Sequence, residues 1–272
     1  MNMAAVILAF QLAGCVSHDG PPIAETPSIH HSWEDASNAG DYKQTADKAR
    51  AFLIAADPSF KKMFDETSVT FLNNQSGPGH RQPLGVYSMV NGKPRMDITK
   101  DHSGFLQTYT LIKKRHADDT NPPSAEDIRA VLMAVTLAHE TGHFWQSKAN
   151  PAFFRQIEKQ KFTACPDIYD LEQSADEFMT FSALKMHENM DGQEKKALEW
   201  VMESQGFENF AAFAQDSGTE QGRTLFRAFM AKRKALYRSA SGCPADQPHE
   251  PGLDAAKALT GPAGILRAMH VS

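Results

Sequence analysis

The amino-acid sequence predicts an α+β fold in which a small, mostly antiparallel sheet is followed by a helical C-terminal part. Residues 68–114 contain short runs of β-branched and aromatic residues separated by turn formers, and from residue 124 the apolar residues recur at helical spacing. The chain has 272 residues, 41% of them apolar, which is enough to bury the core of one large domain or two small ones. Its net charge is only −5, and no basic stripe indicates nucleic-acid binding.

The first 15 residues, MNMAAVILAFQLAGC, resemble a signal peptide with a lipobox-like end. The apolar run is too short to span a bilayer and has the length of a signal h-region. Its ending, Leu12-Ala13-Gly14-Cys15, predicts cleavage before a lipid-bearing Cys15 and export to the bacterial cell envelope. The protein is then expected to contact the membrane only through this lipid anchor. An n-region requires Lys or Arg before the apolar run, and none is present. Either the true start lies upstream or the segment is a buried apolar terminus, and a cytosolic location is the alternative to export.

The remaining chain predicts a tether followed by one domain. Residues 16–40 are rich in Pro, Ser, Gly and Asp with little periodicity, which indicates a flexible segment. Residues 41–272 then predict a single domain. If Cys15 carries lipid, Cys165 and Cys243 remain, and either a disulfide between them or two buried free thiols fits the count.

The elements of this domain follow from apolar spacing and turn signals. Strands are expected at 68–74 and 105–114, and Asn91-Gly92 within 85–99 is a strong hairpin signal. Ser124 is expected to cap the longest helix, together with Asp127. Helices are predicted at 41–57, 59–64, 125–148, 152–162, 168–188, 191–204, 207–215, 219–239 and 253–269.

Two histidines four residues apart, His139 and His143, flank Glu140 in the stretch LAHETGHFWQ. Four residues make just over one helical turn, so both imidazoles lie on one helix face and can bind one metal ion. Glu140 lies about 100° round the helix, beside the ion but outside its ligand set. Thr141 and Gly142 are small and are expected to leave room near a metal. The spacing is the H-E-x-x-H pattern of zinc metallopeptidases, and a pair of exposed histidines beside a salt-bridging glutamate is the alternative.

A catalytic zinc takes three protein ligands and keeps one position open, so a third ligand is needed. No metzincin-type histidine follows His143. The best candidate lies in DLEQSADEF, where Glu172 can reach the metal. Asp176, one turn later, can accept the second N–H of a ligating histidine and fix its tautomer. Glu177 is the alternative ligand if the helix is rotated.

The combination of H-E-T-G-H with E-Q-S-A-D resembles the gluzincin clan, and its E-x-x-A-D form is similar to the HtpX-like and CAAX-protease-like peptidases. The resemblance covers only these two segments, and the chain lacks the multiple membrane spans of the integral-membrane members. It implies a zincin-like fold and one Zn²⁺ per chain held by His139, His143 and Glu172. It also implies that Glu140 is the general base that activates a zinc-bound water, with Asp176 supporting a ligand.

Together these features predict a zinc-dependent metalloendopeptidase that hydrolyses peptides or proteins of the envelope. A zinc-binding but catalytically silent lipoprotein that acts as a chaperone or assembly factor is the alternative, as is a structural protein whose motif is accidental. Tyr169, His187 and Tyr237 are candidates to stabilise an oxyanion, and the sequence does not choose among them. By analogy with zincins, a strand in 85–99 or 105–114 is expected to pair with extended substrate.

Overall fold

The computed structural model describes residues 41–72, 85–90, 93–99, 102–149, 151 and 165–240. Its strands are β1 (Ser68–Leu72), β2 (Gly85–Val90) and β3 (Lys93–Thr99). Its helices are α1 (Asp41–Ala56), α2 (Ser59–Glu66), α3 (His102–Arg115), α4 (Ala125–Ala149), α5 (Cys165–Asn189), α6 (Gly192–Ser204), α7 (Phe210–Asp216) and α8 (Glu220–Ala240). The described chain is therefore mostly helical with one small sheet, which confirms the α+β class. Among these helices, none combines the length and apolar character that crossing a membrane requires.

Most of the predicted helices are present with ends shifted by three residues or fewer. Several expectations concern segments outside the described residues, namely the signal peptide 1–15, the tether 16–40, the helices 152–162 and 253–269, and Cys243. The side chain of Cys165 also lies outside them, so the disulfide stays a prediction.

The sheet has the strand order β1–β3–β2 and is mixed. β2 and β3 are antiparallel, and Val90 lies opposite Lys93, so that only Asn91 and Gly92 separate the paired strands, as the hairpin signal predicts. β1 pairs with β3 in parallel, with Ser68 opposite Arg95. The expectation of a mostly antiparallel sheet is thus wrong for this second pair. The two strands of the hairpin run in opposite directions, and β1 pairs with β3, which runs parallel to it, and not with β2.

Segment 105–114, expected to be a strand, belongs to helix α3. Thr108 and Ile112 are buried one helical turn apart, whereas Thr110 between them is exposed. In a strand these three residues would share one face. Only the helical spacing buries the first and last without the middle one, so packing overrides the β-propensity of FLQTYTLIKK. This correction also removes the segment as a substrate-pairing strand.

Helix α4 forms the centre of the core and carries the H-E-x-x-H segment. It is buried along most of its length from Ile128 to Ser147 and packs against α1, α5, α6 and β2. Its start is capped as predicted, since the Ser124 hydroxyl accepts the backbone N–H of Asp127 at 3.0 Å and donates to its carboxylate at 2.6 Å. The candidate site is therefore fixed within the most buried element of the described chain.

Gly142 allows α4 and α5 to approach closely beside the two histidines. A Cβ at this position would lie 2.9 Å from the Cα and 3.1 Å from the Cβ of Ala175. The space beside Gly142, which the sequence analysis assigned to a metal, is instead filled by the backbone of α5. This contact brings Glu172 and Asp176, which flank Ala175 on α5, towards the histidines of α4.

We predict that Gly142→Ala destabilises the protein by about 1–3 kcal/mol, because the added methyl group overlaps backbone that no side-chain rotation can clear. Denaturant unfolding followed by circular dichroism measures the change. Gly218→Ala is the control, since a Cβ there meets no atom within 4 Å. It should leave stability unchanged or raise it by up to about 1 kcal/mol. Equal losses in the two variants would contradict the helix-contact explanation.

Candidate metal centre

His139 and His143 on α4 and Glu172 on α5 form a buried group that can hold a metal ion. One ligand atom from each lies within 4.8 Å of the other two. The Nε2 atom of His139 is 3.1 Å from Oε2 of Glu172, and the Nε2 atom of His143 is 3.6 Å from Oε1. A tetrahedral ion with bonds of about 2.0–2.2 Å separates its ligand atoms by roughly 3.3–3.6 Å. The quoted distances are close to this range, and the nitrogen and carboxylate donors suit a single ion, so the three side chains could hold one.

Asp176 orients His139 from one helical turn beyond Glu172. Its Oδ1 atom lies 3.1 Å from Nδ1 of His139, and the carboxylate is completely buried. An imidazole that donates its Nδ1–H to a carboxylate turns a lone pair on Nε2 towards the ion. Glu177, the alternative ligand, is half-buried and its side chain hydrogen-bonds to Gln173. Among the described residues, Glu172 rather than Glu177 joins the histidines.

Gln146 orients His143 in the same way, although the sequence had not indicated this residue. Its Oε1 atom accepts the Nδ1–H of His143 at 2.8 Å, and its Nε2 atom donates to the carbonyl of Leu171 at 3.0 Å. The second bond fixes the orientation of the amide, so that its oxygen faces the histidine. The signal that could have found Gln146 is its position three residues after His143, where helical side chains are neighbours.

Helix α8 places a buried arginine and tyrosine behind Asp176. Arg233 donates from Nε to Oδ2 at 2.7 Å and from Nη2 to Oδ1 at 2.9 Å. The Tyr237 hydroxyl donates to Oδ2 at 2.6 Å and accepts from Arg233 at 2.8 Å. The hydroxyl of Tyr237, an oxyanion candidate from the sequence, is thus hydrogen-bonded to Asp176, the residue that orients His139. Arg233 was missed, because nothing near it in the sequence connects it to a residue 57 positions earlier.

The other two oxyanion candidates gain no support from the structure. The Nε2 atom of His187 lies 2.9 Å from the carboxylate of Glu199, and this pair is separate from the metal-ligand group. The side chain of Tyr169 lies outside the described residues. The residue that would stabilise an oxyanion is therefore not assigned.

Glu140 lies buried beneath strand β2. Its carboxylate accepts a hydrogen bond from the backbone N–H of Tyr87. A Cβ on Gly85 would lie 3.0 Å from Oε1 of Glu140 and 2.8 Å from the side chain of Thr136, so the missing side chain allows the strand to approach α4. Burial raises the pKa of Glu140 above its ordinary value, against the opposing influence of the two histidines.

Three buried carboxylates, those of Glu140, Glu172 and Asp176, concentrate negative charge here. Burial alone would lower the pKa of His139, but its hydrogen bonds to Asp176 and Glu172 outweigh burial and raise it to about 10. Burial likewise disfavours the charged form of Glu172, yet the histidines hold the pKa of this carboxyl far below its usual range. Positive charge near these carboxylates is therefore stabilising, and a divalent cation is one source of it.

Comparison with known proteins identified no relative of this chain. No family model matches the chain, and neither a similar curated protein nor a similar solved structure was found. The geometry alone thus supports the conclusion that His139, His143 and Glu172 form a group that can hold a metal ion.

We predict that Gln146→Leu weakens metal binding by about 10- to 100-fold, because leucine cannot accept the Nδ1–H of His143 and leaves that ring without its support. Competition with a chromophoric chelator for Zn²⁺ measures the affinity. Gln215→Leu, on an exposed position of α7, is the matched control and should bind Zn²⁺ like the wild type. Wild-type affinity in Gln146→Leu would show that His143 needs no such partner.

Proposed function

We propose that the protein is a zinc-dependent metallopeptidase of the gluzincin type with a zincin-like fold. The observation that carries the proposal is the convergence of His139, His143 and Glu172, with Glu140 buried beside them. Two imidazoles and one carboxylate are the ligand set of thermolysin-type catalytic zinc sites, which keep a fourth position for water or substrate. The nitrogen and carboxylate donors favour zinc over ions that prefer oxygen ligands alone.

The proposed reaction is hydrolysis of a peptide bond. His139, His143 and Glu172 would hold the zinc ion, which would supply Lewis acidity to the scissile carbonyl and lower the pKa of a nearby water molecule. Glu140 would take a proton from this water as the water oxygen bonds to the carbonyl carbon, and would pass that proton to the amine nitrogen as the C–N bond breaks. Burial favours the protonated form of this carboxyl, which brings its proton affinity closer to that of a base working near neutral pH. Asp176 and Gln146 contact Nδ1 of the two imidazoles, which would leave Nε2 of each ring for the ion.

Strand β2 is the candidate docking edge for an extended substrate, since it lies at the edge of the described sheet. Val90 and Lys93 flank a two-residue connection, a position at which paired residues normally exchange hydrogen bonds, so Met89 is expected to turn its backbone groups away from β3. Tyr87 is expected to do the same, but its N–H already donates to Glu140. Pro94, opposite Met89, has no N–H to donate, which agrees with this register. The backbone bond from Tyr87 to Glu140 places that edge next to the proposed general base.

The N-terminal sequence supports a place for this peptidase in the bacterial cell envelope, anchored by lipid on Cys15. Its proposed substrates are accordingly peptides or proteins of that compartment. A chain held at the membrane surface acts on substrates that reach the same surface, and a tether at residues 16–40, as their composition predicts, would give the domain freedom to meet them.

Glu140→Gln distinguishes a peptidase from a zinc-binding protein without catalysis. The variant should bind one zinc ion per chain like the wild type and cleave at least about 100-fold more slowly, because an amide cannot take the proton. Zinc is measured by plasma mass spectrometry. Cleavage is measured as new peptide N-termini in a mixture of denatured envelope proteins.

The matched control for this experiment is Glu208→Gln, at an exposed position outside the site, and it should retain both zinc and activity. Equal cleavage by the wild type and Glu140→Gln, or no cleavage by either, would overturn the peptidase proposal. A wild-type protein without stoichiometric zinc would overturn the zinc site.

Met89→Pro tests whether β2 pairs with substrate. Proline removes an N–H that points away from β3, so the β2–β3 pairing should survive, whereas a peptide at the outer edge loses a hydrogen-bond donor and meets the ring. We expect kcat/KM to fall about tenfold or more, with zinc content and melting temperature unchanged. The N–H of Ser88 is expected to point towards β3, so Ser88→Pro should instead disrupt the β2–β3 pairing and lower the melting temperature. Full kcat/KM in Met89→Pro would exclude this edge as the docking site.

A further inference from the structure

The carboxylate of Asp176 accepts hydrogen bonds at all four of its lone-pair positions. Oδ1 accepts from His139 and from Nη2 of Arg233, and Oδ2 accepts from Nε of Arg233 and from the Tyr237 hydroxyl. A carboxylate offers about four acceptor sites, so each of them is filled. Rotation of the carboxylate about its Cβ–Cγ bond would break several of these bonds together, and Asp176 therefore has one orientation in which to meet His139.

Arg233 supplies two of these four bonds and the only buried guanidinium charge in the described part of the chain. Its planar fork grips both oxygens and thereby defines the plane of the carboxylate. The hydroxyl of Tyr237, one turn further along α8, accepts from Arg233 while it donates to Asp176. Arginine, tyrosine and aspartate thus form a closed hydrogen-bonded ring behind His139.

The charge of Arg233 also matters to the metal-ligand group. Of the three buried carboxylates, Asp176 is the one that its guanidinium contacts. Without Arg233, Asp176 would be a buried carboxylate lacking its main counter-charge.

We propose that Arg233 is a positioning residue for the metal centre, acting through Asp176 to fix the ring plane and tautomer of His139, with Tyr237 holding the guanidinium in place. The inference rests on the metal site of the proposed function and not on peptide hydrolysis. It assigns α8, which lies outside both recognised sequence segments, a direct part in the geometry of the centre.

Arg233→Lys separates geometry from charge. Lysine keeps a positive charge but donates from a single nitrogen, so it cannot hold both oxygens of Asp176 in one plane. Co²⁺ serves as the probe, because its visible absorption reports the arrangement of its ligands. We expect Arg233→Lys to bind Co²⁺ about tenfold or more weakly and to show shifted absorption bands, because His139 is no longer held in one orientation. Chelator competition measures the affinity.

Arg227→Lys on the same helix is the matched control, since the Arg227 side chain is 69% exposed and pairs with Glu220 at the surface. It should bind Co²⁺ with the wild-type spectrum and affinity. A folded Arg233→Lys protein with the wild-type Co²⁺ spectrum and affinity would overturn the proposal, whatever its melting temperature, because a purely structural role changes stability without changing the bound ion.

Tyr237→Phe decides the matter if Arg233→Lys does not fold. It removes one of the four bonds to Asp176 and the acceptor for Arg233, while the charge and the ring remain. A shifted Co²⁺ spectrum supports the proposal, and an unchanged spectrum with unchanged affinity overturns it. A wild-type protein that binds Co²⁺ but cleaves no peptide would overturn only the peptidase, whereas one that binds no Co²⁺ would remove the metal site and this inference together.

Discussion

Compensation of buried negative charge is the constraint on which this structure depends. Glu140, Glu172 and Asp176 lie in an interior where an unpaired carboxylate costs several kcal/mol. Arg233 offsets part of this charge, and the imidazoles of α4 contact the carboxylates of α5 directly. Because the charges come from α4, α5 and α8, these three helices must meet at one place. The electrostatic requirement thereby links the site to the arrangement of the helical core.

Close backbone contacts allow these charges to meet. Gly142 lets α4 lie against Ala175 of α5, and Gly85 lets β2 lie against the carboxylate of Glu140. In both places a missing side chain shortens the distance between elements that carry polar groups. Rigid packing then holds the groups at hydrogen-bonding distance, so that few rotamer changes are needed before an ion can bind. The site is organised by its surroundings as much as by its own residues.

The sequence predicts those parts of the site that depend on a single helical turn. His139 and His143 share a face because of their spacing, whatever the rest of the chain does. Arg233 is different, because its contact with the site depends on how α8 crosses α5, and no local spacing encodes a crossing. The same limit explains the error at 105–114, where β-branched residues favour a strand locally but burial of Ile112 depends on distant helices. The parallel partner of β1 is likewise a long-range choice.

The position of α8, the last helix in the described part of the chain, has a consequence for biosynthesis. Asp176 and Arg233 are separated by 57 residues, so a nascent polypeptide presents its acidic groups before their guanidinium partner has been translated. The ring behind His139 closes only after α8 has emerged and docked. For the proposed hydrolase, a chain that still lacks α8 therefore carries His139 without its full support.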